Sequence, residues 1–176
     1  MLKKIGLQFT AFCFLAILFF NACTKDVAEV HSTVFNLRMT DAPLDNIDEV
    51  NIDLLRIIVF TNEGKDSFEL ATNAGIYNLL DYQGDLDTLI GSTILQAETI
   101  SQVRLVLGSE NSIMVDSVLH DLKTPSAQQS GLKINVHANI ADIDVYNLLI
   151  DFDAEKSVVE QGNEGYILKP IIKVMN

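Results

Sequence analysis

Apolar and polar residues alternate along most of the chain from Val34 onward, which is the period-two pattern of half-buried β-strands. The clearest run is LKINVHAN at 132–139, in which every second residue is apolar. Comparable runs predict strands at 33–40, 49–60, 67–70, 99–107, 112–116, 131–140, 145–153 and 166–175. Short strands at near-regular intervals, separated by Gly, Asn and Asp, predict an all-β fold, a single antiparallel β-sandwich in the style of transthyretin-like or immunoglobulin-like modules.

Two segments interrupt this rhythm. In 49–60 the apolar phase runs to Leu54 and restarts at Leu55, which predicts a β-bulge or a strand that passes between sheets. Residues 75–91 carry two glycines and no regular alternation, which predicts a short helical or irregular crossover.

The first 22 residues have the order of an export signal, with Lys3 and Lys4 ahead of an apolar run. This run is short for a spanning helix, which needs about 20 apolar residues. Ala22 directly before Cys23 resembles the cleavage site of bacterial lipoproteins, in which the cysteine sulfur carries the lipid. We therefore expect a lipoprotein signal peptide at 1–22, with an uncleaved anchor as the alternative.

Cysteine usage agrees with this interpretation. Cys13 lies inside the signal and Cys23 becomes the first residue of the mature chain, so no cysteine remains for a disulfide, a zinc site or a thiol nucleophile. We expect a covalent lipid on Cys23, a polar tether over 23–32 and one β-sandwich domain over 33–176. The expected location is the cell envelope, anchored in the outer membrane and facing either the periplasm or the exterior.

Charge excludes one class of partner. Lys3 and Lys4 leave with the signal peptide, so 10 basic and 24 acidic residues remain and the formal net charge changes from −12 to −14. Nucleic acid phosphates require basic surfaces, so we expect no nucleic acid partner. An acidic surface favours solubility, and affinity for divalent cations is the more specific alternative role.

Two acidic stretches are candidates for such a cation. TDAPLDNIDE places Asp41, Asp45 and Asp48 in a turn-like loop, and the strand at 145–153 places Asp151 and Asp153 on one face. Calcium takes about six to eight oxygen ligands, which clustered carboxylates supply. The alternatives are turn chemistry for the first stretch and, for the second, a solvent-facing cross-strand ion pair with Lys133, Lys169 or Arg104.

The longest polar connection is LKTPSAQQSGLKI at 122–134. Polar loops displayed at the end of a sandwich are common binding sites, while a structured turn before the next strand is the alternative. The candidate ligand or partner residues are Thr124, Pro125, Ser126, Gln128, Gln129, Ser130, Gly131 and Lys133.

No catalytic pattern stands out. The three histidines are not spaced for a metal, and G-x-S-x-G is absent. A catalytic carboxylate pair of the glycosidase type is kept as an alternative, because the chain is so acidic. The absence of tryptophan and an aromatic content of 7% disfavour a cleft that stacks sugars.

Several ordered segments carry a family resemblance: LRMTDAPLDNIDEVNIDLLRI, QVRLVLG, LKTPSAQQSGLKI, LLIDFDAEKSV and YILKPIIKV. Together they resemble the bacterial domain of unknown function 4382, found in exported lipoproteins. The resemblance implies a β-sandwich and carries over no catalytic residue. Its motif positions are Thr40, Asp41, Ala42, Pro43, Arg104, Leu105, Pro125, Ser126, Ser130, Gly131, Lys133, Asp151, Asp153, Lys169 and Pro170.

These observations lead to one expectation and two alternatives. We expect a non-catalytic, lipid-anchored module of the cell envelope with a structural or binding role, needing no cofactor and meeting an envelope or extracellular protein or a glycan. The alternatives are a calcium-dependent surface binding module and a small envelope hydrolase that uses paired carboxylates.

Overall fold

The computed structural model describes residues 31–42, 47–162 and 165–175. The strands are β1 (Thr33–Thr40), β2 (Glu49–Thr61), β3 (Asp66–Glu69), β4 (Ala71–Thr72), β5 (Gly75–Asn78), β6 (Thr88–Leu95), β7 (Thr99–Leu107), β8 (Ser112–Val115), β9 (Val118–Lys123), β10 (Leu132–Asn139), β11 (Val145–Phe152), β12 (Val158–Glu160), β13 (Tyr166–Leu168) and β14 (Ile172–Met175). Helical segments are short: the 3₁₀ turns Asn62–Gly64 and Leu79–Tyr82 and the helices Pro125–Gln129 and Ala154–Ser157. Among the described residues, no helix is long and apolar enough to span a bilayer.

Two sheets pack face to face, which confirms the predicted all-β sandwich. One sheet has the order β14-β11-β1-β6-β4, and the other has β10-β7-β2-β8-β9-β13-β12 with β3 and β5 also paired to β2. The sheets are mixed rather than wholly antiparallel, because β1 pairs with β11 and β9 with β13 in parallel. Parallel neighbours need a crossover connection, and here the connection between β1 and β11 contains β2–β10, most of which belong to the second sheet.

The core lies between the two sheets. From the first sheet it takes alternate residues of β1 and β11, such as Phe35 and Phe152, which are fully buried. From the second it takes the apolar phases of β2, β7 and β10. The predicted irregularity in β2 is a bulge: the pairing with β7 shifts between Leu54 and Arg56, and Leu55 is left 51% exposed. β2 pairs with β8 and β5 before this point and with β7 and β3 after it.

The direction of β1 divides the sandwich into two ends. Thr33, where the chain enters the domain, marks what we call the tether end, and Asp41, just beyond the last residue of β1, marks the distal end. β11 runs parallel to β1, with Thr40 opposite Asp151, so the carboxyl ends of both strands meet at the distal end. This parallel pairing brings Thr40 and Asp41 of the TDAP motif to the same end of the sheet as the DFD motif, which is far away in the sequence.

Candidate functional site

A carboxylate cluster of Asp41, Asp151 and Asp153 lies at the distal end of the first sheet. The exposed fractions of these residues are 3%, 8% and 0%. β14 runs antiparallel to β11 and places Lys173 opposite Asp151. Isolated buried carboxylates are costly, so the partners of each one decide what the cluster can do.

Asp41 is only partly satisfied by its hydrogen bonds. Its Oδ1 accepts a hydrogen bond from the backbone N–H of Ala154 at 2.9 Å, while its Oδ2 is buried without a partner. The Gln83 amide lies beside it in a geometry that leaves Nε2 without a hydrogen bond. Burial raises the pKa of Asp41 from 3.8 to about 6, and the charge of Asp151 adds to the increase.

Asp153 is fully satisfied. It caps the short helix Ala154–Ser157 by accepting the backbone N–H of Lys156 at 3.2 Å. Its Oδ2 also accepts from Lys156 Nζ at 2.7 Å and from Lys173 Nζ at 3.2 Å. The hydrogen bond from Lys156 lowers the pKa of Asp153, so this carboxylate is held ionised despite its burial.

Ser157 connects the DFD motif to the LKP motif. Its Oγ donates to the backbone carbonyl of Asp153 at 2.5 Å and accepts from the N–H of Ile171 at 2.9 Å. Its own carbonyl accepts from the N–H of Lys169 at 2.7 Å. The segment around Pro170 is therefore fixed to the carboxylate cluster by backbone contacts.

The arrangement corrects two sequence-based expectations about Asp151 and Asp153. Both residues are buried rather than on a solvent face, and the lysines that pair with them are Lys156 and Lys173 rather than Lys133 or Lys169. Asp153 departs from the strand alternation because it turns into the cap of a helix. The signal available in the sequence was Asp153 followed three residues later by Lys156, the spacing of neighbours on a helix.

Part of the predicted polar loop at 122–134 is buried and hydrogen-bonded within the domain. Thr124 is 2% exposed, and its Oγ1 accepts from Asn111 Nδ2 at 3.1 Å. Gln128 Nε2 donates to the carbonyl of Gly108 at 3.0 Å. Gly131 has φ +73°, in the region that glycine adopts without strain.

The outer part of this loop borders open space. Ser130, Gly131 and Lys133 line a concavity of about 380 Å³ together with Leu132, Pro170 and Ile172. Pro125 and Gln129 are exposed. A ligand role for this loop, including Ser126, stays a prediction.

The described residues do not assemble the predicted acidic metal loop. Across 31–42, 47–162 and 165–175, no three His, Cys, Asp or Glu side chains are placed to hold a metal ion. Asp48 instead accepts the backbone N–H of Ser117 at 2.7 Å. Asp45 and Cys23 lie outside the described residues, so the calcium and lipid predictions are not decided by the geometry.

A family model described as "Domain of unknown function (DUF4382)" matches residues 32–170, which is most of the chain and nearly the whole β-sandwich. The chain belongs to this family. No curated protein and no solved structure matches it. In this DUF4382 chain Asp41 of the TDAP motif, the DFD motif and the LKP motif converge on the carboxylate cluster, while the SGLK motif borders the adjoining concavity at Pro170.

Proposed function

We propose that this protein is a lipid-anchored, non-catalytic binding module of the bacterial cell envelope. The anchor rests on the signal-like first 22 residues and the Ala22–Cys23 pair. The β-sandwich follows after the short tether 23–32. The burial and pairing of the Asp153 carboxylate favour a binding role over a catalytic one.

The observation that carries the non-catalytic proposal is that the Asp153 carboxylate is buried and already paired. A general base must reach its substrate, whereas this carboxylate is fully buried and its Oδ2 is engaged by Lys156 and Lys173. The bonds of Asp153 and Ser157 hold the short helix and the Pro170 segment together. The cluster therefore supports the distal end as a rigid surface.

The tether gives that surface a direction. β1 has eight residues, so its first and last residues are about 23 Å apart at about 3.3 Å per residue. The lipid on Cys23 would hold the tether end near the bilayer and the distal end away from it. In this orientation the motif-bearing end meets soluble or opposing envelope partners.

The experiment is detergent partition combined with protease accessibility on intact cells. We expect the wild type to enter the detergent phase, and Cys23→Ala to remain an unprocessed precursor without lipid. Cys13→Ala is the matched control, because that cysteine is discarded with the signal. Processing and partition of Cys23→Ala like the wild type would refute the anchor, and protease access would tell an exterior from a periplasmic face.

A calcium-dependent module is the second candidate. It is favoured by two buried oxygens that lack hydrogen-bond partners, Asp41 Oδ2 and Asp151 Oδ1, at the same end of the sheet. A cation bound at this end of the sheet would raise the melting temperature by mass action. An unchanged melting temperature in millimolar calcium, with magnesium as the control, would remove this candidate.

A further inference from the structure

Two cations face each other on the outer surface of the second sheet. Lys133 of β10 is the register partner of Arg104 of β7. Directly opposed residues of neighbouring strands have Cβ atoms about 4.5–5.5 Å apart, and like charges in this position destabilise a sheet. In a chain with formal net charge −12, such a pair needs a reason.

In the part of the chain that the structure describes, no carboxylate forms an ion pair with Lys133 or Arg104. Within residues 31–42, 47–162 and 165–175, neither Lys133 nor Arg104 has a carboxylate within salt-bridge distance, although Arg56 has Glu69 at 3.8 Å. Arg104 is held in place by neutral groups. Its guanidinium carbon lies 4.2 Å from the ring centre of Phe60, and its Nε donates to Gln102 Oε1 at 2.7 Å.

A groove runs from this pair toward the tether end. Its two parts have volumes of about 320 and 400 Å³ and share Glu63, Ser101 and His137. Arg104 lines the first part, while Lys133 lines the separate concavity of about 380 Å³ next to Pro170. The cation pair thus has open space on both sides.

Coincident irregularities in two neighbouring strands, β7 and β10, shape the groove. Ser101 is an extra residue in β7 opposite β2, and β10 carries a bulge between Asn135 and Ala138 opposite β7. His137 in this bulge has φ +53°, a conformation that is costly for a non-glycine residue. Bulges re-aim side chains and are frequent beside binding sites.

The lining of the groove is rich in neutral groups that both donate and accept hydrogen bonds. Gln102 Nε2 donates to Asn135 Oδ1 at 3.1 Å, and Ser101, Thr99 and Asn139 continue the polar surface. Such groups suit hydroxyls, which also donate and accept. Glu63 lines both parts of the groove but not the concavity beside Lys133, so an anionic group of a ligand would be favoured on the side of Arg104 that faces Lys133.

We propose that this groove binds an acidic oligosaccharide, with a uronate carboxylate between Lys133 and Arg104 and neutral sugar hydroxyls along Gln102, Asn135 and Ser101. The open, elongated form fits a linear chain better than a compact metabolite. Arg104 covers Phe60, so recognition relies on planar polar side chains rather than on aromatic stacking. This inference rests on the proposed binding role and adds a second surface to it, on the outer face of the second sheet rather than at the distal end.

The experiment is calorimetric titration of the full chain, purified in detergent, with tetragalacturonate. Maltotetraose serves as the neutral match, and tetraglutamate and inorganic phosphate test other sources of negative charge. We expect saturable binding of tetragalacturonate alone, weakened about tenfold or more in Lys133→Gln. Arg56→Gln, which removes an exposed cation already paired with Glu69, should bind like the wild type.

Several results would overturn the proposal. These are the absence of saturable uronate binding, equal binding of maltotetraose, equal binding of tetraglutamate or phosphate, or a Lys133→Gln variant that binds normally. Asn135→Ala tests the neutral part of the site separately from the cation pair. This variant should lower the affinity for tetragalacturonate more than the affinity for free galacturonate. The titration is independent of detergent partition, so failure of the anchor and failure of the saccharide site are distinguishable.

Discussion

Asp41→Asn should stabilise the protein at neutral and alkaline pH. The substitution keeps an oxygen that can accept the N–H of Ala154 and removes the charge from Oδ2, the atom without a partner. Burial raises the pKa of Asp41 from 3.8 to about 6. At about 1.36 kcal/mol per pH unit, ionised Asp41 costs the folded state about 3 kcal/mol.

The pH dependence has a definite sign. Below pH 3.8 Asp41 is protonated in both states and costs nothing; between 3.8 and about 6 the unfolded chain releases the proton first, so stability falls as pH rises. Asp153 has a lowered pKa and acts in the opposite direction, losing its contribution as pH falls through the folded pKa. That effect is common to wild type and variant and cancels in their difference.

The assay is urea unfolding of wild type and Asp41→Asn at about pH 4.5 and about pH 8, with thermal melts in parallel. The variant should gain up to about 3 kcal/mol at the higher pH and much less at the lower. This corresponds to about 6–12 °C in melting temperature for a domain of this size. Asp48→Asn, on an exposed aspartate, controls for the loss of one negative charge.

One result would refute this reasoning. If Asp41→Asn lowers stability at pH 8, the ionised carboxylate is satisfied rather than strained, and a bound cation becomes the better account. Repeating the measurement with a chelator then separates the two cases. A variant that becomes less stable only without chelator would support the calcium-dependent candidate.

Three further substitutions test the fold. Gly131→Ala should cost about 1–3 kcal/mol, because φ is +73° and a Cβ would lie 3.2 Å from the carbonyl oxygen of Leu105; a melting curve like the wild type would contradict the left-handed turn. Asp153→Ala should cost about 1–3 kcal/mol in urea unfolding by leaving a helix end and two half-exposed lysines without their acceptor, and an unchanged urea midpoint would show that they find other partners. Gly91→Ala should cost about 1–3 kcal/mol, since a Cβ would lie 2.8 Å from Ile57 Cδ1; recovery of stability in Gly91→Ala/Ile57→Val would identify crowding as the cause.

Regular strands were predictable because every second side chain along them is buried. β7 spans 99–107 as predicted, and β10 differs from its prediction by one residue at each end. β6 was missed because Ile90 and Gly91 are consecutive buried residues where β1 pairs irregularly, so the alternation is lost in the sequence. The predicted strand at 166–175 is divided into β13 and β14 around Pro170, which has no N–H to donate.

The candidate site was only partly predictable, because its chemistry depends on tertiary contacts. The sequence singled out Asp41, Asp151 and Asp153, but their burial follows from the parallel pairing of β1 with β11, which no local pattern reveals. The role of Lys173 depends on the register of β14 against β11. The opposition of Lys133 and Arg104 likewise depends on the register of two strands.

The pairing of β1 with β11 also constrains the order of folding. Asn36 and Asn147 form a hydrogen bond across 111 residues of sequence, and β1 lies at the centre of its sheet. Contacts this distant slow folding, because the loop must close before they form. In the export route proposed above, β1 would acquire its parallel neighbour only after residues 145–152 had crossed the membrane, when Cys23 would already be accessible to lipid-attaching enzymes. Export, anchoring and folding would thus follow in sequence, with the anchored chain exposed to envelope proteases until its last strands arrive.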